Sequence, residues 1–415
     1  MNILLLGNGY DLNYKLPTSY HSFLLTADFL KKRNLELICA VGDVFGSPDL
    51  SSQDASIKKS YDAYKEIFDS VVLDKDSIRR MVDLAESNIW FSYFLKSFNR
   101  EAGWIDFERE VAYVIDCFQS FFREADIVFV PNKVCKKTGS KHVILNAFNF
   151  FLEETGKSRN LVPTGSRKVA NEYTYEYPLG SGEYLINEEK IIAFLHEELN
   201  KFVEMLRIYL QCFVEKSAKV LINDLRITQL QALAYTDVVV TLNYTSTYET
   251  INSDAQVFHI HGSTDNKIVL GINPDNSDKI ESIDTAFVEF KKYYQRTFYG
   301  TDIPYLRWIR DQRYGGRNED IHLLIMGHSL DVTDREVIED LFGLASKITI
   351  LYHNESAKSQ YIRNLVNIFG KERFDQIRDE QQLELLPLDM DFSELSEKRA
   401  GNSTIQYEAR LESFL

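Results

Sequence analysis

Four short segments concentrate the glycines, amides and imidazoles from which a site could be built. They are Gly7-Asn8-Gly9-Tyr10-Asp11, Asn243-Tyr244-Thr245, His261-Gly262-Ser263 and Gly327-His328-Ser329-Leu330-Asp331. Gly7 and Gly9 match two glycines of a dinucleotide fingerprint, whose third position is Leu12. Without a Cβ, such a turn brings backbone N–H groups close to a phosphate. The alternative is a strand-to-loop turn that needs positive φ. Asn243 has an amide suited to fixing a hydroxyl or an attacking water; it could equally cap a helix starting near Thr245, with Thr247 and Glu249 close by. His259 and His261 share a face if their strand runs that far. His261 is read as a general base working near neutral pH without a large pKa shift, and His259 as structural. Gly262, Gly327, His328 and Ser329 are candidates to contact phosphate or ribose. Thr333-Asp334-Arg335-Glu336 reads as a capping box, and Asp331 and Asp334 either accept a hydroxyl or favour a helix N-terminus.

These segments need a scaffold, and the sequence supplies one. Ile3–Leu6 is an all-apolar run, followed much later by Asp237–Leu242, Gln256–His261, Lys267–Ile272, Ile321–Met326 and Lys347–Tyr352, all short and rich in β-branched residues. Leu383–Leu388 is a last strand, assigned to an edge by Pro387. Helical spacing marks the stretch from Thr18 or Ser19 to about Lys32, Ile280–Phe298 and Asp334–Ala345. Strands alternating with helices predict an α/β chain with a Rossmann-like, doubly wound parallel sheet. Such sheets bind ligands at the carboxyl ends of their strands. All four segments follow strands, so they are expected on one rim.

Between these strands the pattern is helical: Ser56–Val72, Ser77–Asn99, Asp106–Ala125, Lys141–Glu154 and Asn187–Lys216 carry apolar residues three and four apart. Thr155–Gly182 reads as a loop or hairpin. The expected division is a discontinuous nucleotide-binding domain (1–32 and 236–390), a helical insertion lobe (33–235) and a polar tail (391–415).

Length and composition bound the rest. A chain of 415 residues exceeds one ordinary core, and 44% hydrophobic residues exclude a disordered chain. Its net charge of −15 disfavours broad contact with nucleic acid or anionic lipid. The cysteines Cys39, Cys117, Cys135 and Cys212 are dispersed and form no CxxC pair, so neither a disulfide framework nor a zinc ribbon is expected. No apolar run reaches the roughly 20 residues of a membrane helix. The expectation is a soluble, cytoplasmic protein with no metal and no membrane partner; an oligomer is compatible with it.

GNGYDLNYKLPTSY, WIDFE (Trp104–Glu108), TLNYT, HIHGS and IMGHSLDVTD together resemble the AbiH abortive-infection family of bacterial phage-defence proteins. More distantly, GNG, NY, HG and GHSL are similar to the sirtuin-like nucleotide-binding fold. The resemblance covers about residues 1–30 and 235–355; within the lobe it rests on WIDFE. It implies NAD as substrate, held by the first glycine loop, with Asn243 at the nicotinamide ribose and reactive water, His261 as catalytic base and Ser329 near phosphate and ribose. Two features depart from the sirtuin pattern: the glycine loop carries Asn8, and Thr245 stands where an acidic residue is usual. The zinc-binding cysteine module is absent, so NAD hydrolysis is expected rather than deacylation.

On this reading nicotinamide departs as ribosyl cation character develops. Asp11 and Glu108 are acidic candidates to face it, unless they are a turn cap and a solvated helix carboxylate. Trp104 and Phe107 are assigned to the core. A phage-derived trigger would release the activity. One rival is a non-catalytic nucleotide sensor; the other, ranked last, is a metal-dependent hydrolase using His259, His261 and Asp11.

Overall fold

The computed structural model describes residues 1–98, 106–124, 144, 147–148, 151–152, 168–169, 174–176, 184–227, 236–272, 285–301, 304–314, 320–380 and 383–388. Trp104, Cys135 and the tail from Asp391 lie outside them. Six strands form one sheet: β1 (Asn2–Leu6), β2 (Val238–Thr241), β3 (Val257–His259), β4 (His322–Met326), β5 (Lys347–Tyr352) and β6 (Leu383–Pro387). Every pairing is parallel, in the order β6-β5-β4-β1-β2-β3. Pro387 thus sits on an edge strand, where its missing N–H breaks no ladder. The order reverses between β1 and β4.

Strand alternation sends side chains to two cores. Ile3 and Leu5 of β1 join Val238, Val240, Leu323, Ile325, Ile348 and Ile350 on one face. Leu4 and Leu6 join Val239, Met326 and Leu351 on the other. Both faces are covered by helices, which is why these strands are apolar throughout rather than alternating with polar residues.

Six helices bear on the site: α1 (Gly9–Asn13), α2 (Tyr20–Lys31), α3 (Phe107–Glu124), α4 (Glu188–Tyr209), α5 (Lys292–Tyr299) and α6 (Arg335–Leu344). Ser19 caps α2 by accepting the Ser22 N–H at 3.0 Å. Phe23 of α2, Phe107 of α3 and Phe202 of α4 are buried together with the Leu4 face of the sheet in one continuous core. Val337, Ile338 and Leu341 of α6 cover the opposite face. Past Tyr209 the long helix widens into a π-helical turn, Leu210–Glu215.

Several expected elements differ. Lys267–Ile272 is not a strand. Its apolar side chains are buried, but Val269 N–H donates to the His261 carbonyl (2.7 Å) and Ile272 N–H to that of Phe290 (2.7 Å). A fully apolar run signals burial; it does not say whether the backbone partners belong to a sheet. The helix expected over Ser77–Asn99 is two, Lys75–Ser87 and Ile89–Phe98, because the Asn88 side chain accepts the Phe91 N–H at 2.8 Å and starts a new turn. The helix expected over Lys141–Glu154 does not include Phe151–Leu152, which pair antiparallel with Lys168–Val169. Cys39, Cys117 and Cys212 form no disulfide. Among the described residues, no helix is long and apolar enough to cross a membrane.

Candidate functional site

The loops after β1 and β4 meet because three glycines let their backbones touch. Gly7 N–H donates to the Met326 carbonyl (3.1 Å) and Gly9 N–H to the Gly327 carbonyl (2.7 Å). A Cβ on Gly7 would stand 2.6 Å from His328 Cα, and one on Gly9 2.7 Å from Gly327 Cα. The positive φ expected of the first turn falls instead on Gly327 (+69°). The N–H groups of Gly7 and Gly9 are therefore spent on the neighbouring loop, and a phosphate cradled by that pair is not what the glycines are for. Asn8, Gly327, His328 and Ser329 line the cavity beside them.

Asp11, on the short helix α1, is 1% exposed. Its Oδ2 accepts from the Thr245 hydroxyl at 2.6 Å and from the Asn243 amide Nδ2 at 3.3 Å. Burial raises the Asp11 pKa to about 6, against the opposing pull of the Thr245 and Thr247 hydroxyls. Asp11 is thus not a turn cap. Asn243 does not cap a helix either: the next one starts at Thr247. Its N–H donates to Thr241 Oγ1, and its carbonyl lies 2.9 Å from His259 Nδ1. His259 Nε2 lies 2.5 Å from Glu249 Oε1, so His259 braces the Asn243 loop, the structural role expected of it. The buried Glu215 of the π-helical turn accepts the Ser246 N–H (2.9 Å) and the Thr264 hydroxyl (2.7 Å), tying the loops after β2 and β3 to the helical layer.

Opposite Asp11 lies a chain of buried charges. His261 Nε2 is 3.2 Å from Asp334 Oδ1 but out of line for a hydrogen bond. Asp334 Oδ1 is 2.9 Å from Lys292 Nζ, and Lys292 Nζ is 2.8 Å from Glu108 Oε2. His328 Nδ1 accepts the Leu330 N–H, leaving Nε2 to donate to Asp334 Oδ2 at 3.1 Å. Burial alone would raise Asp334, but the Lys292 ammonium together with His261 and His328 outweighs it and holds the carboxyl well below its ordinary range. Burial raises Glu108 more than Lys292 lowers it. Lys292 is itself raised, since Asp334 and Glu108 outweigh its burial. Glu108 is therefore no solvated helix carboxylate. Asp331, not Thr333, provides the local cap, accepting the Thr333 N–H at 3.1 Å, while Glu336 turns away to Arg296.

His261 departs from the near-neutral base expected of it. Burial, then the Lys292 charge, lowers its pKa to about 4, so the ring is neutral at physiological pH. A neutral imidazole with an unengaged nitrogen is a hydrogen-bond acceptor, and any charge it gains would form beside Asp334.

One cavity of about 370 Å³ brings these groups together. Gly7, Asn8, Gly9, Asp11, Asn243, His261, Gly327, His328 and Ser329 all line it. Gly262 does not. It turns the chain at φ +73°, and a Cβ there would stand 1.7 Å from the Lys267 carbonyl oxygen. Tyr20, Tyr244, Leu206 and Leu210 also line the cavity, and Lys292 organises it from behind; none was singled out from sequence. A lone lysine opening a helix carries no pattern, and apolar residues on a long helix look like core. Among the described residues, no three of His, Cys, Asp or Glu are grouped to hold a metal ion.

Comparison with curated proteins and with solved structures finds no match. Comparison with protein families does: the family described as bacteriophage abortive infection AbiH matches residues 3–353, a span that contains every residue lining the cavity. With most of its length and its whole candidate site inside that match, the chain belongs to the bacteriophage abortive infection AbiH family.

Proposed function

We propose that the chain is a cytoplasmic NAD glycohydrolase of bacterial phage defence, restrained until a phage-derived trigger releases it. The observation that carries this reading is the meeting of Asn243 and His261 in one buried cavity at the carboxyl ends of β1, β2, β3 and β4. Numbered along the chain, the strand order 3-2-1-4-5-6 is that of doubly wound dinucleotide-binding sheets, with the cavity at the reversal between β1 and β4. This supports a Rossmann-like, sirtuin-like domain (1–32 and 236–390) carrying residues 33–235 as an insertion. The cavity falls within the range of ligand pockets, roughly 300–1,000 Å³.

The chemistry follows from the groups present. Asp11, Asp334 and Glu108 make the lining acidic, which favours positive charge developing on a ribosyl carbon. The C–N bond breaks with its electron pair leaving on neutral nicotinamide, so no strong acid is required. Asn243 holds the attacking water, whose oxygen bonds to the anomeric carbon. His261 Nε2 takes the water's proton, and the imidazolium forms 3.2 Å from Asp334 Oδ1. A positioned base of this kind contributes about 10²–10⁴-fold.

The test is nicotinamide release from NAD by purified chain, with and without extracts of phage-infected cells. Release lost in both Asn243→Ala and His261→Ala is the expected result; release unchanged in either variant overturns the assignment. One observation favours a second reading, a non-catalytic nucleotide sensor. Tyr20, Glu108, Leu206 and Leu210 place the helical layer directly on the cavity, so occupancy there would be felt outside the sheet. Tight NAD binding without turnover in activated extracts would support it.

A further inference from the structure

Four acceptor or acceptor-capable atoms in the cavity wall lack a hydrogen-bond partner: Asp11 Oδ1, Asn243 Oδ1, His261 Nε2 and Thr18 Oγ1. The first two belong to side chains already joined through Asp11 Oδ2 and Asn243 Nδ2. That bond fixes the amide: flipping Asn243 would set two oxygens against each other, so its Oδ1 must be the free end. The Thr247 hydroxyl, near enough to pull on the Asp11 pKa, makes no well-directed hydrogen bond to it and leaves Oδ1 unpaired. Buried acceptors left unpaired are expensive, and two on hydrogen-bonded side chains that both line a cavity call for a ligand with two donors. A phosphate offers none and is repelled by the carboxylate. The vicinal hydroxyls of a ribosyl group offer two on adjacent carbons, and a carboxylate is a recurrent partner of ribose hydroxyls.

We infer that Asp11 Oδ1 and Asn243 Oδ1 form a paired acceptor for the cis-diol of the reacting ribosyl group, making Asp11 the residue that selects ribosyl ligands. This rests on the NAD reading above, and it assigns Asp11 a direct ligand contact.

The full chain is titrated calorimetrically with ADP-ribose and with its analogue lacking both hydroxyls of the terminal ribose, while nicotinamide release from NAD is followed in parallel. Wild type is expected to bind the analogue about 10- to 100-fold more weakly, the effect of a hydrogen bond to a charged group. Asp11→Ala should lose a similar factor for ADP-ribose and no longer distinguish the two ligands. Equal binding of both ligands by wild type overturns the inference without any variant, and so does a folded Asp11→Ala that still discriminates. Should Asp11→Ala not fold, Asp11→Asn, of the same shape, takes its place, and its discrimination must fall. Diol-dependent binding without nicotinamide release would sink the hydrolase alone; absence of ADP-ribose binding at millimolar concentration overturns both.

Discussion

The Thr245 hydroxyl donates to Asp11 Oδ2 at 2.6 Å, joining residues 234 positions apart in the chain. The contact sets a carboxylate from the loop after β1 against the loop after β2, beside Asn243. Asp11 is held by hydroxyl and amide donors alone, with its charge unneutralised at the base of the cavity, and this has consequences that can be measured.

Asp11→Asn should stabilise the fold at pH 7.5. The Asp11 pKa is raised from 3.8 to about 6, so the folded state favours the protonated acid. The cost of the buried charge is absent below pH 3.8, grows as pH rises towards 6, and is full above it. The shift corresponds to on the order of 3 kcal/mol at most. Urea denaturation should show the variant more stable at pH 7.5 and the difference shrinking by pH 4.5. A variant less stable at pH 7.5 would contradict this account.

Lys292→Met should destabilise strongly, by about 3–5 kcal/mol, because it leaves Glu108 and Asp334 buried without their counter-charge. Adding Glu108→Gln should recover part of the loss. If the double variant melts no higher than the single one, the two carboxylates are not competing for that ammonium.

The pH profile of nicotinamide release should have an acid limb near pH 6, from Asp11, and none from His261, whose pKa of about 4 keeps it neutral across that range. Asp11 is charged above the limb, so kcat/KM rises with pH through it. His261→Gln should lower the rate while leaving the limb in place; Asp11→Asn should remove the limb. A limb that follows His261 instead would overturn the assignment.

Gly9→Ala should cost about 2 kcal/mol or more, since its Cβ would meet Gly327 backbone at 2.7 Å. Gly343→Ala provides the contrast. It lies in α6 with nothing within 4 Å of an added Cβ, and should stabilise by about 0.5–1 kcal/mol. Thermal unfolding of the pair separates a glycine needed for backbone contact from one that is merely tolerated.

Much of the scaffold was legible in the sequence. β5 spans Lys347–Tyr352 as read, and β1, β2 and β4 fall within a residue or two of their expected limits, because short apolar runs bounded by polar or glycine residues leave few other local solutions. Helical periodicity located α3 and α4 in the same way. Asn243 and His261 were legible as strand-end residues, since a polar group after a buried strand stands out locally.

Tertiary structure decided what local pattern could not. Lys267–Ile272 has the composition of a strand and becomes a buried segment because its backbone partners, His261 and Phe290, are supplied from elsewhere in the chain. Gly7 and Gly9 looked like a phosphate turn until the loop after β4 proved to occupy their N–H groups. His261 looked like a neutral-pH base until burial and Lys292, 31 residues on, lowered its pKa. Sequence sets what each residue is able to donate, accept or carry as charge; its neighbours in the fold set which of those capacities is already used, and that depends on contacts between residues hundreds of positions apart.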